Sequence, residues 1–207
     1  MPKLLLATGN KGKVREYRSL LEGVPYKIVS LADEGITTVV EEVGSSLEEN
    51  ASLKASIIVK ESRLLTLADD SGLEVDALDG KPGPLSARFA GENATDSDRI
   101  DYLLSRLKDV PWSERTAHFR CVIALASPGK EIELYYGDCS GLILFEPRGK
   151  SGFGYDPVFY IPSLDMTMAE LTMEAKNRIS HRGLAAQEVY RVLTGSGTTG
   201  RTNGKQV

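Results

Sequence analysis

Thr8-Gly9-Asn10-Lys11-Gly12-Lys13 sets small residues and two cations directly after the apolar run Lys3 to Ala7. Between a strand and a helix, such a segment offers backbone N–H groups and a positive helix end to an anion, and Lys11 and Lys13 add charge. It is not a Walker A loop, because Ala7 stands where the first glycine belongs and Val14 replaces the Ser or Thr. Taken alone, it reads slightly better as a plain turn with solvated lysines.

Asp69-Asp70-Ser71-Gly72 reads as an acidic turn closing a buried strand. Neighbours on an extended chain point opposite ways, so one carboxylate can face a cleft while the other braces the turn. Magnesium takes hard oxygen ligands and keeps several waters, so one or two carboxylates suffice for it. An ordinary Asp-rich turn explains the segment as well. Glu41-Glu42, ahead of Gly44, reads by itself as a solvated acidic loop.

In Ser151-Gly152-Phe153-Gly154-Tyr155-Asp156-Pro157 the glycines leave the Phe153 ring uncrowded, as stacking on a nucleobase requires. Asp156, held extended before Pro157, is placed to accept a base N–H. A tight turn with Phe153 packed inward fits equally well. Lys176 and Ser180-His181-Arg182 put further donors ahead of the last helix, where Ser180 also suits a plain N-cap.

The elements that must carry these residues follow from periodicity. Lys3 to Ala7 and Tyr26 to Ser30 read as strands, and Lys13 to Leu21 reads as a helix. Ser46-Leu47-Glu48-Glu49 has capping-box form and opens a helix toward Leu65. Thr95 to Leu107 is a capped helix, and Gly80 to Ala94 an ordered loop. Thr116 to Ala126 and Ile132 to Gly137 flank a Ser127-Pro128-Gly129-Lys130 hairpin, with Gly141 to Phe145 as a third strand. Gly183 to Leu193 is the last helix. The order predicts an α/β protein with one long mixed sheet. Residues 1–193 form a single domain in this reading, and 194–207 a disordered polar tail or an expression remnant.

The 207 residues carry a net charge of −4, which gives no electrostatic footprint for nucleic acid. The apolar runs are too short to cross a bilayer, and Leu4 to Ala7 is too short for a signal-peptide core, so a cytoplasmic protein is expected. Cys121 and Cys139 lie far apart with no metal spacing, as reduced structural thiols do.

Together these segments resemble the inosine triphosphate pyrophosphatase family. The resemblance rests on Thr8-Gly9-Asn10-x-x-Lys13, Glu41-Glu42, Glu49-Asn50-Ala51 with Lys54-Ala55, and Asp69-Asp70-Ser71-Gly72-Leu73. It continues through Pro82-Gly83, Ser86-Ala87-Arg88, Gly152-Phe153-Gly154-Tyr155-Asp156-Pro157 and Ser180-His181-Arg182-Gly183, in order, across Lys3 to Leu193.

The resemblance implies an elongated mixed sheet with flanking helices forming two lobes around a nucleotide cleft, usually as a homodimer. It also implies magnesium-dependent hydrolysis of non-standard purine nucleoside triphosphates (ITP, dITP, XTP) to monophosphate and pyrophosphate. Thr8, Gly9, Asn10, Lys11, Gly12 and Lys13 would grip the phosphates with Lys176, and Ser71 would lie beside them. Glu41 and Asp70 would hold the metal, and Asp70 would take the water's proton. Phe153, in the loop Phe153, Gly154, Tyr155 and Asp156, would stack on the base. His181 and Arg182 would address its O6 edge. Guanine also carries O6, so its rejection must come from position 2, where backbone N–H groups or tight packing around Phe153 to Asp156 are expected.

Two other readings compete: a fold-related pyrophosphatase for pyrimidine or modified nucleotides, of the septum-inhibitor kind, and a non-catalytic nucleotide sensor. The His181-Arg182 pair argues against the first and the acidic residues Glu41 and Asp70 against the second.

Overall fold

Leu4, Leu5 and Leu6 are wholly buried, as an apolar run must be when both faces of its strand are covered. In the computed structural model, which describes residues 1–196, they form β1 (Lys3–Leu6). β1 pairs in parallel with β2 (Lys27–Ser30) and β3 (Leu65–Val75). Beyond β3 the pairing turns antiparallel, through β5 (Thr116–Ala126), β6 (Glu133–Ile143), β7 (Phe159–Ile161) and β8 (Met166–Thr167), while β4 (Pro82–Gly83) adds to β3. The mixed sheet of eight strands has the order β2-β1-β3-β5-β6-β7-β8, with the helices on its faces, as expected.

Three apolar clusters divide this sheet. On one face α1 (Lys11–Leu20) and α5 (His181–Thr194) bury Tyr17, Leu21, Ala185 and Val189 on Leu4, Leu6, Leu67 and Ile123. On the other, α2 (Leu47–Ser62) packs Ala51, Ala55 and Ile58 on Leu5, Ala68, Val122 and Ala124. Toward the far ends of β3 and β5, α3 (Asp96–Arg106) packs Ile100 and Leu103 with Leu73, Val75, Tyr155 and Phe159. Each such side chain contributes about 1.5–3 kcal/mol on burial, which ties the lobes to one strand register.

Four expectations are corrected. Asp69 to Gly72 is not a turn: β3 runs through it, because residues 66–75 pair without a break against Ala126 to Ala117 of β5. Gly141 does not begin a separate strand, since β6 continues from Glu133 to Ile143. Gly137 and Gly141 mark close approach instead. A Cβ at Gly137 would collide with the His181 carbonyl and the Ala185 amide, and one at Gly141 with the Tyr160 carbonyl. Glu49 does not complete a box with Ser46 but accepts from the Ser45 amide and hydroxyl. Finally, α5 extends to Thr194, and Gly195 closes it in the left-handed region at φ 69°. Residues 197–207 of the expected tail lie outside the described residues. Both cysteines are free and buried.

Candidate active site

Strand alternation separates the two aspartates. Asp69 turns toward α1 and α5, where its Oδ2 lies 2.9 Å from Lys13 Nζ and 3.4 Å from the Arg182 guanidinium. Asp70 turns toward α2, accepting from Asn50 Nδ2 at 3.0 Å, with Lys54 Nζ at 3.6 Å from its Oδ1. Burial would raise both carboxyls. Around Asp69, Lys13, Arg182 and Lys54 outweigh burial and hold it well below the usual range. At Asp70 burial and the nearby Glu42 prevail over Lys54, so its carboxyl is raised. The adjacent carboxyls are thus shifted in opposite directions, Asp69 downward and Asp70 upward.

From Asp69 a buried chain of alternating charge crosses the molecule. Arg182 reaches Glu16 at 2.7 Å, the other oxygen of Glu16 takes Lys176 Nζ at 2.8 Å, and Lys176 reaches Asp156 at 2.5 Å. Burial opposes ionisation of Glu16, yet Arg182 and Lys176 pull its carboxyl below the ordinary value. Sequence reasoning missed Glu16, although a charge three residues after Lys13 on an otherwise amphipathic helix was the available signal.

The phosphate-loop residues Thr8, Gly9, Asn10, Lys11 and Lys13 line a cleft of about 1260 Å³ between the lobes. The amides of Gly12 and Lys13 are already taken by Asn10 Oδ1, at 2.8 and 3.1 Å. Asn10 is therefore the N-cap of α1, and the loop is preorganised around it. Gly12 lies under the aromatic loop: a Cβ there would stand 2.7 Å from Phe153 Cδ1.

Two expected substrate contacts turn inward. Lys176 does not line the cleft; buried at 5% exposure, it sits 5.1 Å from the Phe153 ring centroid, because Glu16 and Asp156 hold its ammonium. Asp156 lines the cleft, yet it is buried. Its Oδ2 accepts from Phe153 N at 2.9 Å and from Lys176, so its carboxylate shapes its own loop. Two of the amides expected to meet position 2 are already engaged, Phe153 N by Asp156 and Gly154 N by Asp96 Oδ2 at 2.7 Å.

His181, Arg182, Ser71 and Phe153 all line the cleft. Arg182 is buried, donates to Ser71 Oγ at 3.0 Å and lies 5.4 Å from the Phe153 ring centroid. His181, fixed where Gly137 admits the start of α5, stacks on Phe119 at 4.7 Å between centroids. Burial, then Arg182 and Lys176, push its pKa well below the ordinary value, leaving a neutral ring. Its Nδ1 is buried without a partner among the described residues, a rare state for a polar atom in a folded protein.

At the cleft lip Glu42 turns inward and Glu41 outward. Glu42 lines the cleft, 2.6 Å from Lys54, whereas Glu41 is exposed and lies outside the lining. The Lys54 attraction draws Glu42 inward, and chain alternation sends its neighbour out. Lys54 thus bridges the carboxylates of Glu42 and Asp70, marking a point where positive charge is stabilised. Among the described residues no three His, Cys, Asp or Glu converge as a metal cage. Hard oxygens in ones and twos fit magnesium, which completes its shell with water and substrate phosphates.

The Ham1 family model matches residues 4–192. The dITP/XTP pyrophosphatase of Geobacter sulfurreducens is 54% identical over 185 residues, covering 89% of this chain and 93% of that protein. That of Halalkalibacterium halodurans is 49% identical over 193 residues, covering 93% and 100%. The solved structure of a HAM1 protein from Coxiella burnetii superposes with a TM-score of 0.85 at 43% identity, over 94% of this chain and all of the other.

Proposed function

Because the chain belongs to the Ham1 family, we propose that it hydrolyses non-standard purine nucleoside triphosphates (ITP, dITP and XTP) to the monophosphate and pyrophosphate. The observation that carries this reading is the proton-accepting Asp70 in the same cleft as the phosphate loop and the Phe153–His181 base site. Lys11 and Lys13 offer charge to the phosphates. Asp70, braced by Asn50 and Lys54, takes the proton of the attacking water at its carboxylate. Phe153 stacks on the base, and the neutral His181 ring, lining the same cleft, donates one N–H to an O6 acceptor. Magnesium, when bound, supplies positive charge that offsets the leaving pyrophosphate. Asp70 would hold it, with a carboxylate of the lip. Glu42 is committed to Lys54, and Glu41 has no ion pair among the described residues, so Glu41 is the ligand we assign.

The test is pyrophosphate release with magnesium on inosine, xanthosine, guanosine and adenosine triphosphates. Early orthophosphate matching nucleotide consumption would refute the reaction. Glu41→Gln and Glu42→Gln, compared by magnesium titration, separate the two carboxylates: the ligand's variant needs the higher concentration. We read residues 1–193 as one domain and the protein as a cytoplasmic homodimer, to be checked by sedimentation and by fractionation. No helix among the described residues is long and apolar enough to cross a membrane.

A further inference from the structure

The loop carrying Phe153 is rich in backbone freedom, with Gly152 at φ 79° and Gly154 at φ 60°. Loops of this kind lose much entropy on ordering, so something must hold them. Inside the loop, Asp156 holds Phe153 N. From outside, Asp96 takes Gly154 N at 2.7 Å through Oδ2. Asp96 opens α3, yet the helix does not need its carboxylate. Thr95 and Asp98 already close a reciprocal capping box, with Asp98 Oδ2 accepting Thr95 N at 2.8 Å and Thr95 Oγ1 accepting Asp98 N at 3.2 Å. One turn on, Arg99 braces the spare carboxylate, donating to Asp96 Oδ1 at 2.6 Å and to the Ala87 carbonyl at 2.6 Å. Tyr155 ties the loop to the same turn through Ser86 O at 2.9 Å. Asp96, Arg99, Ala87 and Gly154 all face the cleft.

We propose that Asp96, aimed by Arg99, is a positioning residue that presets the Phe153 loop for the base. The proposal rests on the cleft being the nucleotide site. A loop held equally in ground and transition states changes KM and spares kcat. A charge-assisted hydrogen bond to a backbone N–H is among the stronger ones, so its loss should be plainly readable.

The experiment measures steady-state inosine triphosphate hydrolysis with magnesium for Asp96→Ala, Asp96→Asn and Arg99→Ala, with hydrogen exchange of the 149–158 peptide. Asp96→Ala should raise KM about tenfold with kcat nearly unchanged, and should speed exchange in the loop. Asp96→Asn keeps an acceptor oxygen and should restore most of the loss. Unchanged KM and exchange in a folded Asp96→Ala protein would overturn the proposal, as would a fall in kcat alone. Should Asp96→Ala not fold, Arg99→Ala leaves the cap intact and should shift KM and exchange the same way, less far; no shift there also overturns it. If the parent hydrolyses no triphosphate, the functional reading fails, while exchange still decides whether Asp96 holds the loop.

Discussion

Asp69 and Asp70 are adjacent in β3 and serve opposite faces of the sheet, Asp69 ion-paired to Lys13 and Asp70 hydrogen-bonded to Asn50. Their amide variants should therefore fail in different ways. Asp70→Asn should melt near the parent and lose on the order of 10² to 10⁴ in turnover, the cost of a missing general base. Asp69→Asn should lose about 3–5 kcal/mol of stability, because Lys13 would stay largely buried without its anion and Arg182 would keep only Glu16. Urea denaturation beside steady-state rates separates the two. Turnover of Asp70→Asn within tenfold of the parent would remove it from the base role.

Arg182→Ala is a poor probe of base selection in this fold. It takes one of two cations from each of the buried carboxylates Glu16 and Asp69, so a fall of about 3–5 kcal/mol in stability is expected by urea denaturation. His181 is the cleaner probe, since its Nδ1 has no hydrogen-bond partner among the described residues. His181→Ala should reduce discrimination against adenosine triphosphate by about tenfold, the worth of one mismatched buried donor. Unaltered kcat/KM ratios would take His181 out of base reading.

His181 also makes stability depend on pH. Burial, Arg182, Lys176 and Lys13 hold its folded pKa down against the attraction of Asp69, so the unfolded chain binds a proton that the folded chain refuses. Stability from this group is complete above the unfolded value of about 6.5 and falls by about 1.4 kcal/mol per unit as pH drops toward the folded value. Urea midpoints between about pH 7.5 and 5.5 should slope in the parent and flatten in His181→Gln.

Gly137→Ala adds one methyl where β6 meets the His181 carbonyl and the Ala185 amide. Backbone cannot yield there as a side-chain end can. The variant should lose about 1–3 kcal/mol, the cost of overpacking, and displace the start of α5 with His181 and Arg182. Gly9→Ala, with nothing within 4 Å of the added methyl and a backbone outside the left-handed region, controls in the same denaturation for loss of a glycine as such. Equal stability of parent and Gly137→Ala would show that the close approach is dispensable.

The local elements were legible because their signals are local. Thr95 capping α3 and Ser180 capping α5 follow from residue type beside an apolar period, whereas Asn10 showed itself as the cap of α1 only in the fold. The ordered motifs also identified the family, since each small segment keeps its own chemistry wherever the chain carries it. Tertiary structure alone decided which polar groups face the ligand. Asp69-Asp70-Ser71-Gly72 looks like a turn until β5 supplies ten residues of ladder beside it. Lys176 and Asp156 look like surface contacts until Glu16, 160 residues from Lys176 in sequence, meets the lysine in the interior. Glu41 and Glu42 are indistinguishable by type, and only the reach of Lys54 separates them. A side chain has the same identity whether solvated or paired. Its role depends on burial and on partners brought from distant segments, which no short stretch of sequence contains.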